Sequence, residues 1–436
     1  MTTEDEKKMG RKIFLEMEES IVRDPSVQSF LNRVGNSLVS QVGSTPFEFK
    51  FYLVNGSSPN AFAVPGGYTF VTTGLIVMAE NEGEIAGVLA HEIAHVVQRH
   101  VAKMIEKSGP LNIAALAAML AGALAGRGGA ASQATGAMAM GMAGATLLKY
   151  TRDMEVDADQ NGLRYLVKAG YDPKGLLNFL GKLQKVSLAV APKIPAYLVT
   201  HPETETRISL LENLLQLEPN ATGPFRPVEN IDKIHVRAFV EERDPDVAVS
   251  HYESMTKKDP RDVTALYGLG LANRKMGRLD RSMEVLQNAE ALVPRDLDVS
   301  REVGIAYFLL GKLDQAIENL EATRSNPAAQ NSDLLTLFYL GRAYQEKGEF
   351  ARALPLLVKV HKEMPEMAAV YSHLGSVYGR MNQKALYHFY YGKHFKWRRD
   401  RNNALLHFRE SLQWLDRTSL ERDEAQREIK ELTPPK

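Results

Sequence analysis

The chain has 436 residues, with 53 basic and 53 acidic side chains, a formal net charge of zero and no cysteine. This length exceeds one ordinary hydrophobic core, so we expect two or three domains. The balanced charge gives no indication of a nucleic-acid partner. The lack of cysteine excludes disulfides, thiolate metal sites and a cysteine nucleophile.

The N-terminal residues 1–8 are charged and contain no hydrophobic signal region. Two locations follow as expectations. The protein is periplasmic if a leader peptide has been removed, and cytoplasmic if Met1 is the native start. The apolar spacing of the following residues predicts two helices within 5–42, separated at Pro25.

Aromatic and β-branched residues in 47–54, 60–64 and 68–72 predict three short strands. The Pro-Gly-Gly sequence at 65–67 predicts a hairpin turn between the last two strands. An edge strand of this sheet would suit an extended peptide substrate, although an ordinary supporting sheet explains the pattern equally well.

Residues 82–107 are predicted to form a helix that carries His-Glu-Ile-Ala-His at 91–95. His91 and His95 share one helix face because they are four residues apart, so both imidazoles can bind one metal ion. Glu92 lies beside them as a candidate general base. The pattern is a zinc signature of metallopeptidases, and the alternative is a buried helix with two structural histidines.

The segment 111–148 contains a single charged residue, Arg127. Three interpretations remain open: a membrane-spanning hairpin, a lid or peripheral membrane contact near the active site, and a helical pair packed on the core. We favour the last two because the first apolar run, 111–126, is short for a span of about twenty residues.

A second motif, Glu155-x-x-x-Asp159, follows on a predicted helix. Glu155 is the candidate for the third protein ligand that a zinc site needs. Asp159 lies one turn further, where it is expected to accept a hydrogen bond from a ligand histidine, so we count it with the catalytic residues. A solvated acidic face is the alternative, and it is the interpretation adopted for Asp153 and Asp157.

A third motif begins at His201-Pro202. Proline suits the first position of a helix, so His201 is predicted to lie at a helix start. A histidine there is usually structural, but the two preceding motifs make it a candidate for the active site.

Together these motifs resemble the zinc metallopeptidase family that includes the β-barrel assembly-enhancing proteases, HtpX and the CAAX prenyl protease. The resemblance covers 5–215 and rests on Asn60-Ala-Phe-Ala, Pro65-Gly-Gly, His91-Glu-x-x-His95, Glu155-x-x-x-Asp159 and His201-Pro202 with Arg207-Ile208. It implies a zincin-like α+β domain, mostly α, with a small β-sheet. It also implies that this chain is closest to the subgroup exported to the periplasm.

The resemblance further assigns roles to these residues. It implies that His91, His95 and Glu155 are zinc ligands and that Glu92 is the catalytic base. It implies that His201 is an extra zinc ligand that blocks the site of the reacting water. His201, Tyr197 and Arg207 are the candidates for stabilising the oxyanion of the reaction.

The C-terminal half carries an internal repeat. Gly270, Gly304, Gly341 and Gly375 are spaced by 34, 37 and 34 residues, each within a similar apolar pattern. This period predicts tetratricopeptide repeats that stack into an α-solenoid and bind a partner protein. The expected domains are 1–215, a linker at 216–228, and the repeats at 229–436.

The sequence therefore predicts a zinc-dependent endopeptidase that cleaves polypeptides. The expected role is protein quality control or outer-membrane protein assembly, with the repeats docking a partner or substrate protein. The outer-membrane assembly machinery is one candidate partner. The alternative is a chaperone-like repeat scaffold whose metal site is latent and self-inhibited.

Overall fold

The computed structural model describes residues 1–108, 144–189, 195–202, 204–217, 225–226, 231–326, 333–365 and 367–433. The chain forms two compact units, Met1–Asp244 and Pro245–Lys436. The described residues are mostly helical, with one three-stranded sheet in the first unit. The predicted fold class is confirmed.

Two N-terminal helices, α1 (Thr3–Met17) and α2 (Pro25–Val39), lie where the apolar spacing predicts them. The Asp24 carboxylate caps α2, because one oxygen accepts hydrogen bonds from the backbone amides of Ser26 and Val27, each at 2.9 Å. Pro25 occupies the first turn of α2, where its missing amide costs nothing.

The sheet contains β1 (Lys50–Val54), β2 (Ala61–Val64) and β3 (Tyr68–Thr72) in the order β1-β3-β2. Strand β3 pairs parallel with β1 and antiparallel with β2, so the predicted hairpin is confirmed. Gly66 and Gly67 adopt φ values of 87° and 98° in its turn, which favour glycine. Strand β2 forms one edge of the described sheet.

A short helix, α3 (Thr73–Met78), leads to the buried helix α4 (Glu82–Val97). The Asn81 side chain caps α4 by accepting a hydrogen bond from the Glu84 amide at 3.1 Å. Helix α4 ends ten residues before the predicted end at 107, because Arg99 adopts a φ of 56°. Helix α5 (His100–Ser108) follows this break.

Helices α6 (Gly144–Lys168) and α7 (Lys174–Ala189) pack on α4. A Cβ atom on Gly162 would lie only 3.0 Å from the backbone nitrogen of His91, so glycine permits α6 to approach α4 closely at this point. Most of the apolar segment 111–148 lies outside the described residues. None of the described helices is both long and apolar enough to cross a membrane.

The first unit ends with α8 (Ala196–Thr200), α9 (Thr204–Leu217) and α10 (Asp232–Glu242). Helix α10 belongs to this unit because Ala238 packs in its core and Arg237 donates a hydrogen bond to Asp24 at 2.6 Å. The unit therefore extends beyond the predicted linker. The predicted domain limits, 1–215, 216–228 and 229–436, stay a prediction.

The second unit is built from successive helices, each of which packs on the next. They are α11 (Pro245–Lys258), α12 (Val263–Lys275), α13 (Leu279–Leu292), α14 (Leu297–Leu309), α15 (Leu313–Arg324), α16 (Leu334–Glu346), α17 (Phe350–Glu363), α18 (Ala369–Arg380), α19 (Lys384–Trp397), α20 (Arg401–Trp414) and α21 (Leu420–Leu432). A Cβ atom on Gly270 would lie 2.5 Å from Leu286, so the repeated glycine brings paired helices into close contact. The predicted helical repeat is confirmed.

Candidate metal centre

Four side chains converge from three parts of the first unit. Helix α4 supplies His91 and His95, α6 supplies Glu155, and His201 follows the end of α8. One ligand atom of each lies within 4.8 Å of one ligand atom of every other. The structure thus brings together residues that are up to 110 positions apart in the sequence.

The Glu155 carboxylate is central to this cluster. Its oxygens lie 3.3 Å from His91 Nε2, 3.4 Å from His95 Nε2 and 3.1 Å from His201 Nδ1. Three imidazoles and a carboxylate are a donor set that zinc accepts in proteins. The residues therefore fit a bound zinc ion.

Glu92 lies next to this donor set. Its Oε1 atom is 3.3 Å from His201 Nε2, yet both atoms are buried and neither makes a hydrogen bond within the described residues. Buried polar atoms normally have partners. These two unpartnered atoms therefore support the fit of a polar group, such as an ion with a water molecule, at this position.

Asp159 and Arg207 fix the orientation of His91. The Asp159 Oδ1 atom lies 2.8 Å from His91 Nδ1, which leaves Nε2 facing the cluster. Arg207 donates to both oxygens of Asp159, at 2.7 and 2.8 Å, and its third nitrogen lies 3.0 Å from Glu155. Arg207 thus lies between two carboxylates, which fits a positioning role, and its buried Nη1 atom makes no hydrogen bond within the described residues.

Burial and the neighbouring charges shift the pKa values of the cluster in different directions. Burial and Arg207 both disfavour a charged His91, but Asp159 and Glu155 outweigh them and raise the pKa of His91 to about 9. Burial also disfavours the Glu155 carboxylate, yet His201 and Arg207 hold its pKa well below the usual value. Burial, the largest cause, lowers the pKa of His95 well below its usual value. The cluster thus combines a charged carboxylate at Glu155 with a neutral imidazole at His95, both of which are forms that bind a metal cation.

A second chain of contacts holds His95, and none of the three sequence motifs indicates it. His95 Nδ1 lies 3.0 Å from His100 Nδ1, and His100 Nε2 lies 3.1 Å from Asp157 Oδ2. Asn161 donates to the other Asp157 oxygen at 2.8 Å. Asp157 is solvated, as the sequence suggested, with its side chain 41% exposed, and it also lies within hydrogen-bond distance of His100. The signal was His100 itself, but its contact depends on the break at Arg99.

His201 lies between α8 and α9, so its predicted place at a helix start is wrong. Its backbone amide donates to the Tyr197 carbonyl at 2.8 Å, and its ring stacks on Tyr197 with centroids 4.5 Å apart. The Tyr197 hydroxyl is buried without a hydrogen-bond partner in the described residues. Burial raises the pKa of Tyr197 well above its usual value, so the hydroxyl keeps its proton.

All six residues predicted for the site therefore lie together. They are His91, Glu92, His95, Glu155, Asp159 and His201. Their roles as metal ligands, base and positioning residue stay predictions.

Comparison with known proteins assigns the surrounding domain. The model of Peptidase family M48 matches residues 25–215, which include the whole cluster, and a tetratricopeptide repeat model matches residues 235–296. A protein of Yersinia pestis named beta-barrel assembly-enhancing protease is 35% identical over 211 residues, which are 47% of this chain and 42% of that protein.

Two further relatives agree with this assignment. A putative beta-barrel assembly-enhancing protease of Vibrio cholerae is 31% identical over 275 residues, which are 61% of this chain and 55% of that protein. Mitochondrial metalloendopeptidase OMA1 of Schizosaccharomyces pombe is 30% identical over 186 residues, or 43% and 52% of the two chains. These matches span about half the length of the relatives. The chain therefore carries a domain of peptidase family M48, followed by tetratricopeptide repeats.

Proposed function

We propose that this protein is a zinc-dependent endopeptidase that takes part in protein quality control or outer-membrane protein assembly. The observation that carries the proposal is the convergence of His91, His95, Glu155 and His201 within 4.8 Å, beside a buried Glu92. The names of the relatives support the biological role, and a periplasmic location is part of the same proposal.

In the proposed mechanism His91, His95 and Glu155 hold the metal. Bound zinc would supply Lewis acidity, polarising the scissile carbonyl and increasing the acidity of the attacking water. Glu92 takes a proton from that water and delivers it to the leaving amine. Tyr197 supplies a protonated hydroxyl, unpartnered within the described residues, for the developing oxyanion.

His201 makes a latent form of this enzyme the second candidate function. Its Nδ1 atom lies 3.3 Å from His91 Nε2, so it lies near enough to act as a fourth ligand that closes the water position. In this alternative the repeats act as a chaperone-like scaffold, and cleavage begins only when the segment carrying His201 moves.

The proposal is tested by metal content and casein cleavage measured on the same samples. Glu92→Gln should retain zinc and lose at least about a hundredfold in cleavage rate, because it removes the base and leaves the ligands. Chelation should abolish cleavage by the unmodified protein, and zinc should restore it. The exposed Glu212→Gln variant should behave like the unmodified protein.

The latent form is tested in the same assay with His201→Ala. If His201 closes the site, this variant should cleave casein several times faster at equal zinc content. A lower rate would instead assign His201 a direct part in the reaction. Unchanged cleavage by Glu92→Gln would reject the peptidase mechanism altogether.

A further inference from the structure

One arginine in the repeat unit lies on an aromatic surface. Arg342 belongs to α16, the first helix of its pair, and its guanidinium lies 4.6 Å from the Phe308 ring centroid, 5.4 Å from Phe338 and 5.2 Å from Tyr339. Phe308 lies on α14, the first helix of the preceding pair. The guanidinium thus bridges neighbouring repeats on the face formed by their first helices.

Arg342 has no carboxylate partner within the described residues. Its Nε atom is buried without a hydrogen-bond acceptor, and its guanidinium lies over three aromatic rings. Other arginines of this unit do have acidic partners: Arg301 pairs with Asp298 and Asp333. A buried donor without an acceptor is unfavourable, and the cation–π contacts with the three rings counteract this cost.

The neighbouring helix α18 does not supply the missing negative charge. It presents His373, whose Nδ1 atom lies 3.0 Å from Gln345 Oε1. Burial, followed by the positive charges of Arg342 and His394, lowers the pKa of His373 to about 4, so this histidine is neutral at pH 7. The surroundings of Arg342 therefore favour an external anion.

We propose that Arg342 binds an aspartate or glutamate side chain of an extended polypeptide that lies across the first helices of the repeats. The planar guanidinium can donate two parallel hydrogen bonds to one carboxylate, and the partly exposed Tyr339 ring can contact an apolar residue beside it. Helices of neighbouring repeats precede and follow α16. A polypeptide bound along the first helices would therefore pass over Arg342. This inference rests on the proposed function, in which the repeats bind polypeptide.

The site is tested first by selection from a displayed library of random twelve-residue peptides. The full chain carrying Glu92→Gln serves as the target, so that bound peptides are not cleaved. We expect the selected peptides to be enriched in an acidic residue next to an apolar residue. The enrichment should disappear when the target also carries Arg342→Met.

The second step is a titration with the most enriched peptide, labelled with fluorescein, and with its acid-to-amide counterpart. A carboxylate bound by Arg342 should make the acidic peptide bind at least about tenfold more tightly, because hydrogen bonds to charged groups contribute about 1.5–3 kcal/mol. The two peptides should bind Arg342→Met equally. Arg342→Lys keeps the charge, loses the paired donors and should give an intermediate ratio.

Arg352→Met is the matched control. Arg352 also lies over a tyrosine ring, that of Tyr344, but it already pairs with Glu349 at 2.8 Å. This variant should retain the preference for acid. If Arg342→Met unfolds, as circular dichroism would show, the Arg342→Lys comparison decides.

The inference is overturned if the selected peptides are not enriched in acidic residues. It is also overturned if the Arg342 variants prefer the acidic peptide over its amide counterpart as strongly as the protein with Arg342 does. Binding that is lost when the peptide C-terminus is amidated would assign the site to chain ends and would also overturn it. Either result can occur while metal-dependent casein cleavage persists. Failure of this inference is therefore distinguishable from failure of the proposed function.

Discussion

At the scale of single residues, the two histidines of α4 are held in different ways. His91 contacts the Asp159 carboxylate directly, whereas His95 reaches Asp157 through the imidazole of His100. If both histidines bind zinc through Nε2, then Nδ1 of each carries a proton. His95 would then donate to His100 Nδ1, and His100 would donate from Nε2 to Asp157.

This arrangement predicts that His100 contributes to zinc affinity without binding zinc. His100→Phe should weaken zinc binding by about 10- to 100-fold, as loss of a partner behind a ligand typically does. Competition with a fluorescent zinc chelator measures the change, and Asp157→Asn should give a smaller loss. The exposed His251→Phe variant is the control. Equal zinc affinities of His100→Phe and the unmodified protein would contradict a role of the His95–His100–Asp157 contacts in zinc binding.

At the scale of elements, local pattern determined most helices and strands, and tertiary contacts determined the exceptions. Apolar spacing and turn residues predicted α1, α2 and the hairpin of β2 and β3. The end of α4 was not predictable in this way. Arg99 donates to Glu6 and to the Met1 carbonyl, each at 2.6 Å, and these partners lie more than ninety residues earlier. No local propensity contains that information.

The packing of α4 on α7 gives a prediction at this scale. A Cβ atom on Gly87 would lie 2.4 Å from the backbone nitrogen of Leu176, so Gly87→Ala should destabilise the protein by about 1–3 kcal/mol. Gly181, also helical, has open space around it, and Gly181→Ala should stabilise the protein by about 0.5–1 kcal/mol. Urea denaturation followed by circular dichroism measures both. Equal effects of the two substitutions would show that α4 and α7 separate readily.

At the scale of the whole molecule, motif spacing predicted the residues of the site, and the period of the glycines predicted the repeats. Two features of the first unit were not recognisable in the sequence. They are the separate helix α5 (His100–Ser108) and the contacts of Arg207 with Asp159 and Glu155. Both depend on contacts between distant segments. The metal-site motifs were recognisable because their chemistry restricts residue type as well as position.

The second unit should lose stability in mild acid. The pKa of His373 is about 4 in the folded unit, against an ordinary value of about 6.5, so the unfolded chain binds the additional proton. The free energy of unfolding is therefore unaffected by His373 above pH 6.5 and decreases as the pH drops towards 4. The decrease between pH 7 and pH 5 is about 2 kcal/mol. Fluorescence of Trp397 and Trp414, both in this unit, reports its unfolding in urea.

The comparison with His373→Asn isolates this effect from other titrating groups. The variant should lose less stability than the unmodified protein between the two pH values. The same loss in both proteins would show that His373 does not cause it.

The ionic side chains around the candidate centre have a consequence for which ions it admits. Counted formally, the carboxylates of Glu92, Glu155 and Asp159 and the guanidinium of Arg207 sum to minus two. This count applies once a metal ion has displaced the proton of His91, because imidazoles bind metals in their neutral form. A doubly charged ion brings this enclosure to neutrality, whereas sodium or a trivalent lanthanide leaves a net charge in a low-dielectric interior. Valence would thus discriminate between ions before coordination geometry distinguishes one dication from another.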